Sequence, residues 1–525
     1  MGATAPLEAI APWKSRHNPW MIALAVMMAT VMEILDTSVA NVALPHIAGN
    51  LSATNHEATW VLTSYLVSNA IILPAGAWFA GFFGRKRVLM ICIIIFTIAS
   101  VLCGLATSLG FLIAARILQG LGGGALQPMS QAILLESFPR EKRGQAMAVF
   151  SMGVVVAPII GPIVGGWITD NFTWRWVFLI NLPVGILSLF LASIFIEDPP
   201  YIKRTVSSRI DYIGFSLMAL GLGTLQLVLD KGQEVDWFQA PWVCWTFALV
   251  AASLIAFVIW ELRVKHPVVN LRVLRDRNFA MGMILITVLG AILYGTLVLL
   301  PLFFQTLMGY SAYLGGLAIG PRGIGAFAAA IVVGRLSGKV SNRLILGMGF
   351  FVLGVTCCWM GNINLQMALT SIIWVVIANG TSLPMVFITL TSMSMATLPN
   401  EDIGNASGLF NLMRNIGGAV GIAVATTILA RMAQVHQVAL VAHVTPFDPV
   451  YQQLLRQVGQ ATASLGSAST EVMAQAYVYR ELSRQATLLA FVDNFFWFGI
   501  LSFCFIPLAF LFRSSRRRLP PGAVH

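Results

Sequence analysis

The run Trp20–Leu44 reads WMIALAVMMATVMEILDTSVANVAL, and its two charged residues are Glu33 and Asp36. A helix needs about 20 predominantly apolar residues to cross roughly 30 Å of hydrocarbon, so this run can span a bilayer. Comparable runs recur as far as residue 512, and the chain is 58% hydrophobic and 10% charged, with a mean hydropathy of +0.81. Soluble domains carry about 25% charged residues. The sequence therefore predicts a polytopic membrane protein.

The apolar runs are too long for β-strands and lack the alternation of polar and apolar residues that a membrane barrel requires. We therefore predict an all-α protein with fourteen transmembrane helices, arranged as six, two and six. The predicted spans are 20–44, 58–81, 87–107, 111–135, 145–168, 175–196, 210–229, 242–262, 279–305, 314–336, 344–361, 366–394, 405–430 and 491–512.

The distribution of Lys and Arg tests this topology, because cytoplasmic loops carry an excess of both residue types. With a cytoplasmic N-terminus, most of the 32 basic residues fall in cytoplasmic segments, and the outside receives Arg175, Lys231, Arg431, Arg456, Arg480 and Arg484. The net charge of +11 therefore reflects topology and does not indicate a nucleic-acid partner. We expect a multi-pass protein of the bacterial inner membrane with both termini cytoplasmic.

Three domains are predicted: an N-terminal six-helix bundle (1–198), two additional linker helices (199–270) and a second six-helix bundle (271–525). The last domain includes the outer loop 431–490, in which we expect helical pieces. This loop either docks a periplasmic partner or forms a cap without one.

Glu33 and Asp36 are three residues apart, so on a helix they share nearly the same face. Carboxylates within the membrane are costly and usually face the bundle interior or a water-filled cavity. A low-dielectric environment disfavours the charged form, whereas a nearby cation favours it. A carboxyl group that alternates between these environments can load and release a proton. We predict Asp36 and Glu33 as proton-coupling residues, with a structural carboxyl group at a helix contact as the alternative.

Three arginines, Arg116, Arg322 and Arg414, lie inside predicted spans, and a guanidinium group there requires a counter-charge, carbonyl groups or water. Arg116 is predicted to complete the proton-coupling network with Asp36, although it could instead extend to the outer interface. Arg322 follows Pro321 in a flexible or broken helix. Arg322 and Arg414 either contact an anionic substrate or are structural.

The candidate substrate-binding residues combine these polar groups with apolar side chains that would form an adaptable pocket wall. Core packing is the alternative for each apolar residue. The set is Asp36, Gln119, Arg322, Arg414, Met32, Phe150, Met152, Tyr294, Phe303, Phe304 and Met385.

Small residues allow close helix packing in lipid, and Gly161 and Gly165 form such a series with Pro162 between them. Gly84 and Arg85, in the basic loop after the second span, form a second candidate conformational motif. The GxxxxGK[ST] phosphate loop and the HExxH motif are absent, and the Cys and His residues lack metal-site spacing. We expect no enzyme activity, no metal and no cofactor, with the proton gradient as the energy source.

Five segments together resemble the fourteen-helix drug:proton antiporters of the major facilitator superfamily. They are Leu35–Pro45 (LDTSVANVALP), Arg116–Gly124 (RILQGLGGG), Pro158–Gly166 (PIIGPIVGG), Trp174–Gly185 (WRWVFLINLPVG) and Asn411–Gly418 (NLMRNIGG). The long outer loop before the last span is similar to that of the EmrB branch rather than the QacA branch.

This resemblance implies a major facilitator fold, proton coupling through Asp36 and Arg116, and export of drugs, uncouplers or fatty-acid-like compounds. It also implies a periplasmic adaptor of the EmrA type and a TolC-like outer-membrane channel as partners. One position departs from the family pattern, because Gly81 stands where the loop after the second helix usually has Asp. The interaction usually assigned to that Asp is therefore in doubt.

The function that these features favour is proton-driven export by alternating access. Proton-coupled uptake is an alternative in the same class, although the fifth-helix motif argues against it. A membrane scaffold or sensor that uses the outer loop for binding is a second alternative. A membrane-embedded enzyme would require a cluster of catalytic polar residues at one interface, which the sequence lacks.

Overall fold

The structure, a computed structural model, describes residues 16–139, 142–198, 211–310, 312–336, 339–442, 444–445, 447–463 and 470–512. Within these residues the regular elements are helices, and fourteen of them are long and apolar enough to cross a membrane, which confirms the predicted all-α fold. They are α1 (Pro19–Asn50), α2 (Trp60–Phe83), α3 (Arg85–Gly104), α4 (Leu109–Ser137), α5 (Arg143–Asn171), α6 (Trp176–Phe195), α7 (Tyr212–Lys231), α8 (Pro241–Arg263), α9 (Arg277–Thr306), α10 (Leu314–Leu336), α11 (Asn342–Met360), α12 (Thr370–Met395), α13 (Ile403–Val441) and α14 (Val472–Phe510).

The helices form two bundles joined by a helical hairpin. In the first bundle α1 packs on α5 and α6, while α4 packs on α2 and α3. In the second bundle α9 packs on α13, and α11 packs on α12 and α14. The hairpin α7–α8 lies against α2 and also contacts α13. The predicted polar stretch 199–209 and the arginines after residue 512 lie outside the described residues.

The last two membrane helices are much longer than the predicted spans 405–430 and 491–512, so those bounds are wrong. Each has 39 residues, a length of roughly 58 Å against about 30 Å of hydrocarbon. Polar residues lower the hydropathy of α13 beyond residue 430. The two helices nevertheless continue, because side-chain contacts between them stabilise their outer parts. His436 Nε2 lies 2.7 Å from Asp493 Oδ2, and Gln437 Nε2 donates to the Tyr479 hydroxyl at 3.0 Å.

A further helix, Pro449–Ala463, packs against α14 in the segment predicted as the outer loop. The expectation of helical pieces there is confirmed. Residues 431–442, 449–463 and 470–490 together form the helical extension.

Among the described residues, three membrane helices are interrupted. The α4 helix consists of Leu109–Gly123 and Leu126–Ser137, and α6 of Trp176–Leu179 and Asn181–Phe195. The third break, in α10, lies between Ile319 and Pro321, as the Gly320-Pro321 sequence predicts. Proline starts a helix readily because its missing N–H is not needed in the first turn.

The two bundles meet most extensively at one end, which is called the basic face because it carries Arg85, Lys86, Arg87, Lys142 and Arg143. There the rings of Phe150 and Phe387 stack with centroids 6.1 Å apart, and Asn411 Nδ2 donates to Gln131 Oε1. Helix α5 also packs along α10 over much of its length. The bundles are therefore closed against each other at the basic face.

The loop after α2 is held by two carboxylates of the first bundle. Arg85 forms a buried ion pair with Glu136, and the backbone N–H of Lys86 donates to Asp198 Oδ1 at 2.9 Å. Gly84 has φ +86° and ψ 153°, a conformation that is essentially restricted to glycine. Asp198 thus supplies a carboxylate to this loop, whereas a Cβ at Gly81 would contact nothing within 4 Å.

We predict that Gly84→Ala lowers the free energy of unfolding by about 1–3 kcal/mol, because the backbone is strained for any L side chain. The added Cβ would also lie against the Asp198 carboxylate. Thermal unfolding of the purified protein in detergent measures the effect. Gly81→Ala is the matched control and should be neutral; equal melting temperatures for the two variants would contradict the prediction.

Candidate functional site

The Asp36 carboxylate is fully enclosed by polar groups from other helices of the first bundle. Its Oδ2 accepts a hydrogen bond from Arg116 Nη1 at 2.6 Å. Its Oδ1 accepts from Gln119 Nε2 at 2.9 Å and from Asn181 Nδ2 at 2.7 Å. The side chains of Asp36 and Arg116 are both completely buried. The predicted pair therefore lies in the protein interior.

Arg116 does not extend to the outer interface, so that alternative is excluded. Its Nε donates to the backbone carbonyl of Val61 at 3.1 Å, and its Nη1 also donates to Gln119 Oε1 at 2.7 Å. The guanidinium carbon lies 4.2 Å from the centroid of the Tyr65 ring. An ion pair, a carbonyl and an aromatic face together compensate the cost of this buried cation.

Two residues of this network were not among the predicted site residues. Asn181 begins the second segment of α6 and reaches Asp36 because of the break at Ile180. Ser100 Oγ accepts hydrogen bonds from Gln119 and Asn181 and donates to the Phe178 carbonyl at 2.8 Å. The signal in the sequence was weak, because an isolated Ser or Asn in an apolar run is common in membrane helices.

Glu33 lies in a separate network one turn along α1. Its Oε1 accepts from the Tyr65 hydroxyl and from Asn69 Nδ2, both at 3.1 Å, and its Oε2 accepts from Gln127 Nε2. Tyr65 joins the two networks, since its ring contacts Arg116 while its hydroxyl contacts Glu33. The two predicted carboxylates therefore lie close together, but each has its own partners.

The Glu33 network continues into the second bundle. Gln127 Oε1 accepts a hydrogen bond from Arg414 Nη2, so one amide group joins Glu33 of α1 to Arg414 of α13. Arg414 is fully buried, and its guanidinium carbon lies 5.7 Å from the Phe387 ring centroid. This chain of groups crosses the boundary between the bundles.

The small residues of α5 hold this helix directly against α1. Ser38 Oγ, two residues from Asp36, donates to the carbonyl of Pro158 at 2.9 Å. A Cβ at Gly161 would lie 2.3 Å from Ser38 Oγ, and one at Gly165 would lie 3.0 Å from a Val39 methyl group. The predicted Gly161–Pro162–Gly165 motif therefore packs beside the carboxylate site.

A small cavity lies between the bundles, and Arg322 and Tyr294 are among the residues that line it. Val154, Val155, Pro158 and Ile159 line it from the first bundle, and Leu293, Leu297 and Leu383 from the second.

The remaining predicted substrate residues lie apart from this cavity wall. Phe150 stacks on Phe387 at the bundle interface, Met32 is buried, and Met152 and Met385 are half-buried. Phe303 packs against Phe491, and Phe304 stacks on Tyr310, within the second bundle. For these two phenylalanines the packing is that of a bundle core, the alternative given for each apolar candidate.

Comparison with known proteins identifies the family of this chain. Residues 26–422 match the Major Facilitator Superfamily model. The chain belongs to the major facilitator superfamily.

Within the superfamily the chain belongs to the EmrB branch. It is 36% identical to the multidrug export protein EmrB of Haemophilus influenzae over 92% of this chain and 93% of that protein. It is 35% identical to the fatty acid resistance protein FarB of Neisseria gonorrhoeae, over 95% and 97% respectively. The crystal structure of the human organic anion transporter MFSD10 has a similar fold, with a TM-score of 0.58 at 13% identity over 93% of this chain and all of that one. This major facilitator chain is therefore a multi-pass membrane transporter.

We predict that Asp36→Asn lowers the stability of this transporter by about 3–5 kcal/mol, because it leaves the Arg116 cation buried without its counter-charge. The double variant Asp36→Asn/Arg116→Gln removes both charges and should be more stable than Asp36→Asn alone. A double-mutant cycle of unfolding free energies in detergent provides the measurement. Strictly additive effects would show that the two groups do not interact in solution.

Proposed function

We propose that this chain is a proton-coupled exporter of hydrophobic and amphipathic compounds in the bacterial inner membrane. The buried Asp36–Arg116 pair is the observation that carries the proposal, since a transporter needs a carboxyl group that is charged in one state and neutral in another. The names of the EmrB and FarB relatives support export of drugs and fatty-acid-like compounds. The excess of Lys and Arg at the basic face supports its assignment to the cytoplasm, with both termini on that side.

Proton binding at Asp36 would remove the ion pair with Arg116 and change the contacts of α1 with α4 and α6. Each proton that enters brings about 2.3 kcal/mol per 100 mV of membrane potential. Glu33 provides the connection to the second bundle, because Gln127 joins it to Arg414. Loss of the charge on Glu33 would weaken its bond with Gln127 and favour separation of the bundles there.

With the basic face in the cytoplasm, we assign the structure to an outward-facing state, and the contacts that close this face support the assignment. Alternating access then requires the Phe150–Phe387 stack and the Gln131–Asn411 and Gln127–Arg414 hydrogen bonds to break. Protons would load from the periplasm while these contacts exist. Their release into the cytoplasm, followed by substrate binding, would complete the cycle.

We also propose that the helical extension docks a periplasmic adaptor of the EmrA type, which would connect this pump to a TolC-like channel. Because α13 and α14 are longer than the hydrocarbon layer is thick, the extension would project beyond the membrane, and it carries exposed apolar side chains. Phe447 is 93% exposed, Val438 72% and Val472 65%. These side chains are available to pack against an adaptor.

The transport proposal predicts that inverted membrane vesicles accumulate a fluorescent cationic dye, and separately an uncoupler, when a proton gradient is imposed. Asp36→Asn should reduce this flux at least tenfold, because the group that exchanges protons is gone. Asp236→Asn, at an exposed turn where Asn tolerates a positive φ, is the matched control and should transport normally. Dye movement in the opposite direction would favour uptake, and normal flux in Asp36→Asn would shift the proton site to Glu33.

The adaptor proposal predicts that Val438→Ser/Phe447→Ser abolishes copurification with an EmrA-type adaptor, because the substitutions remove exposed apolar contacts. Dye flux in vesicles without adaptor should be unchanged. Leu105→Ser, an exposed apolar residue on the same side but outside the extension, is the control. Equal recovery of adaptor with all three proteins would rule out this docking surface.

A further inference from the structure

Arg322 is a buried cation with most of its hydrogen-bonding capacity unused. Its side chain is 1% exposed, and it lies at the start of the second segment of α10. Its Nη2 donates to Thr296 Oγ1 at 3.0 Å. Its Nε and Nη1 have no partner among the described residues. A guanidinium group has five N–H donors, so the site has room for a strong acceptor.

The other buried arginines are linked to carboxylates, although within the described residues they also have unpartnered nitrogens, Nε and Nη1 of Arg414 among them. Arg85 pairs with Glu136, and Arg116 pairs with Asp36. Arg414 is joined to Glu33 through the Gln127 amide. Within the part of the chain that the structure describes, Arg322 has no carboxylate at ion-pair distance. An unpaired charge in a membrane protein is costly and usually marks a functional site.

The backbone at Arg322 is fixed, so its cation cannot easily withdraw from the interior. A Cβ at Gly380 would lie 2.0 Å from the Arg322 carbonyl oxygen, and one at Gly325 would lie 2.0 Å from the Ile377 carbonyl oxygen. Helices α10 and α12 therefore approach each other as closely as their backbones permit. This contact holds Arg322 at the cavity between the bundles.

The lining of that cavity provides an apolar surface beside the Arg322 cation. Apart from Arg322 and the Tyr294 ring, its walls are Val, Ile, Leu and Pro side chains from both bundles. One fixed cation beside an apolar wall matches a ligand with one anionic group and an apolar body. Arginine binds carboxylates through charge-assisted hydrogen bonds, and Nε and Nη1, on different edges of the guanidinium group, are the groups left available.

We propose that Arg322 binds the acidic head group of the substrate, so that amphipathic monoanions such as long-chain carboxylates and sulfonates are the preferred cargo. The inference rests on the proposed export function and names the substrate class of the same pump. The bound anion neutralises the buried cation, while its apolar part lies along α5 and α9.

The cavity has an accessible volume of about 10 Å³ in this conformation, roughly the space of one water molecule. Binding of a whole amphiphile therefore requires α5 and α10 to separate. Since residues of both bundles line the cavity, the ligand would be exposed to either side of the membrane as the bundles move. This location is suited to alternating access.

The experiment measures binding of dodecanoate and of dodecyltrimethylammonium to the protein in phosphatidylcholine nanodiscs. The two probes share an alkyl chain and differ in charge. Arg322→Gln should weaken dodecanoate binding by about 10-fold to 100-fold, since charge-assisted hydrogen bonding is lost. It should leave dodecyltrimethylammonium binding unchanged or tighter. Arg322→Lys should retain part of the dodecanoate affinity, because the charge remains without the planar geometry.

Arg175→Gln is the matched control, because Arg175 is an arginine outside the cavity that donates to the Ala106 carbonyl. It should bind both probes like the wild type. A competition series on the wild type alone covers the case in which Arg322→Gln fails to fold. Dodecanesulfonate should displace dodecanoate, whereas dodecanol and dodecyltrimethylammonium at the same concentration should not.

Equal loss of both probes in a folded Arg322→Gln protein, or displacement of dodecanoate by dodecanol, would overturn the inference. Flux assays in inverted vesicles separate this failure from failure of the proposed function. Wild-type protein that binds dodecanoate through Arg322 but moves neither probe would refute export while retaining the site. Export of both probes that is insensitive to Arg322→Gln would refute the anion site while retaining export.

Discussion

The ion pair between Asp36 and Arg116 determines how the first bundle is assembled. A charged pair in an apolar interior needs further hydrogen bonds to offset the cost of its desolvation, although Arg116 Nη2 has no partner among the described residues. Helices α1, α2, α4 and α6 must therefore converge so that Val61, Gln119 and Asn181 reach it. The break in α6 serves this requirement, because it lets Asn181 reach Asp36. The same pair is a point at which a single proton can change the contacts of several helices.

The second bundle places its charges differently. Its two buried arginines have no carboxylate of their own bundle at ion-pair distance among the described residues. Arg414 depends on Gln127 of the first bundle, and Arg322 faces the cavity that both bundles line. The first bundle therefore contains an ion pair whose two partners both belong to it. The second bundle has cations that lie at the boundary between the bundles. The proposed proton exchange and the proposed anion binding would then belong to different, structurally similar halves.

The number of spans and the Asp36–Arg116 pair could be predicted from the sequence, because hydropathy and an intramembrane charge are local signals. The bridge through Gln127 could not, since it requires the positions of three helices. The lengths of α13 and α14 were underestimated for another reason. Their outer parts are stabilised by contacts such as His436–Asp493, which compensate for low hydropathy and which a window of sequence cannot detect.

The length of α13 has a mechanical consequence. The helix is continuous from Ile403, beside Arg85 at the basic face, to Val441 in the helical extension. Because an α-helix rises about 1.5 Å per residue, a tilt of 10° about one end displaces the other by roughly 10 Å. The helix thus acts as a lever arm. Small rearrangements at the basic face become large displacements of the helical extension, where an attached protein could sense the state of the transporter without contacting the substrate.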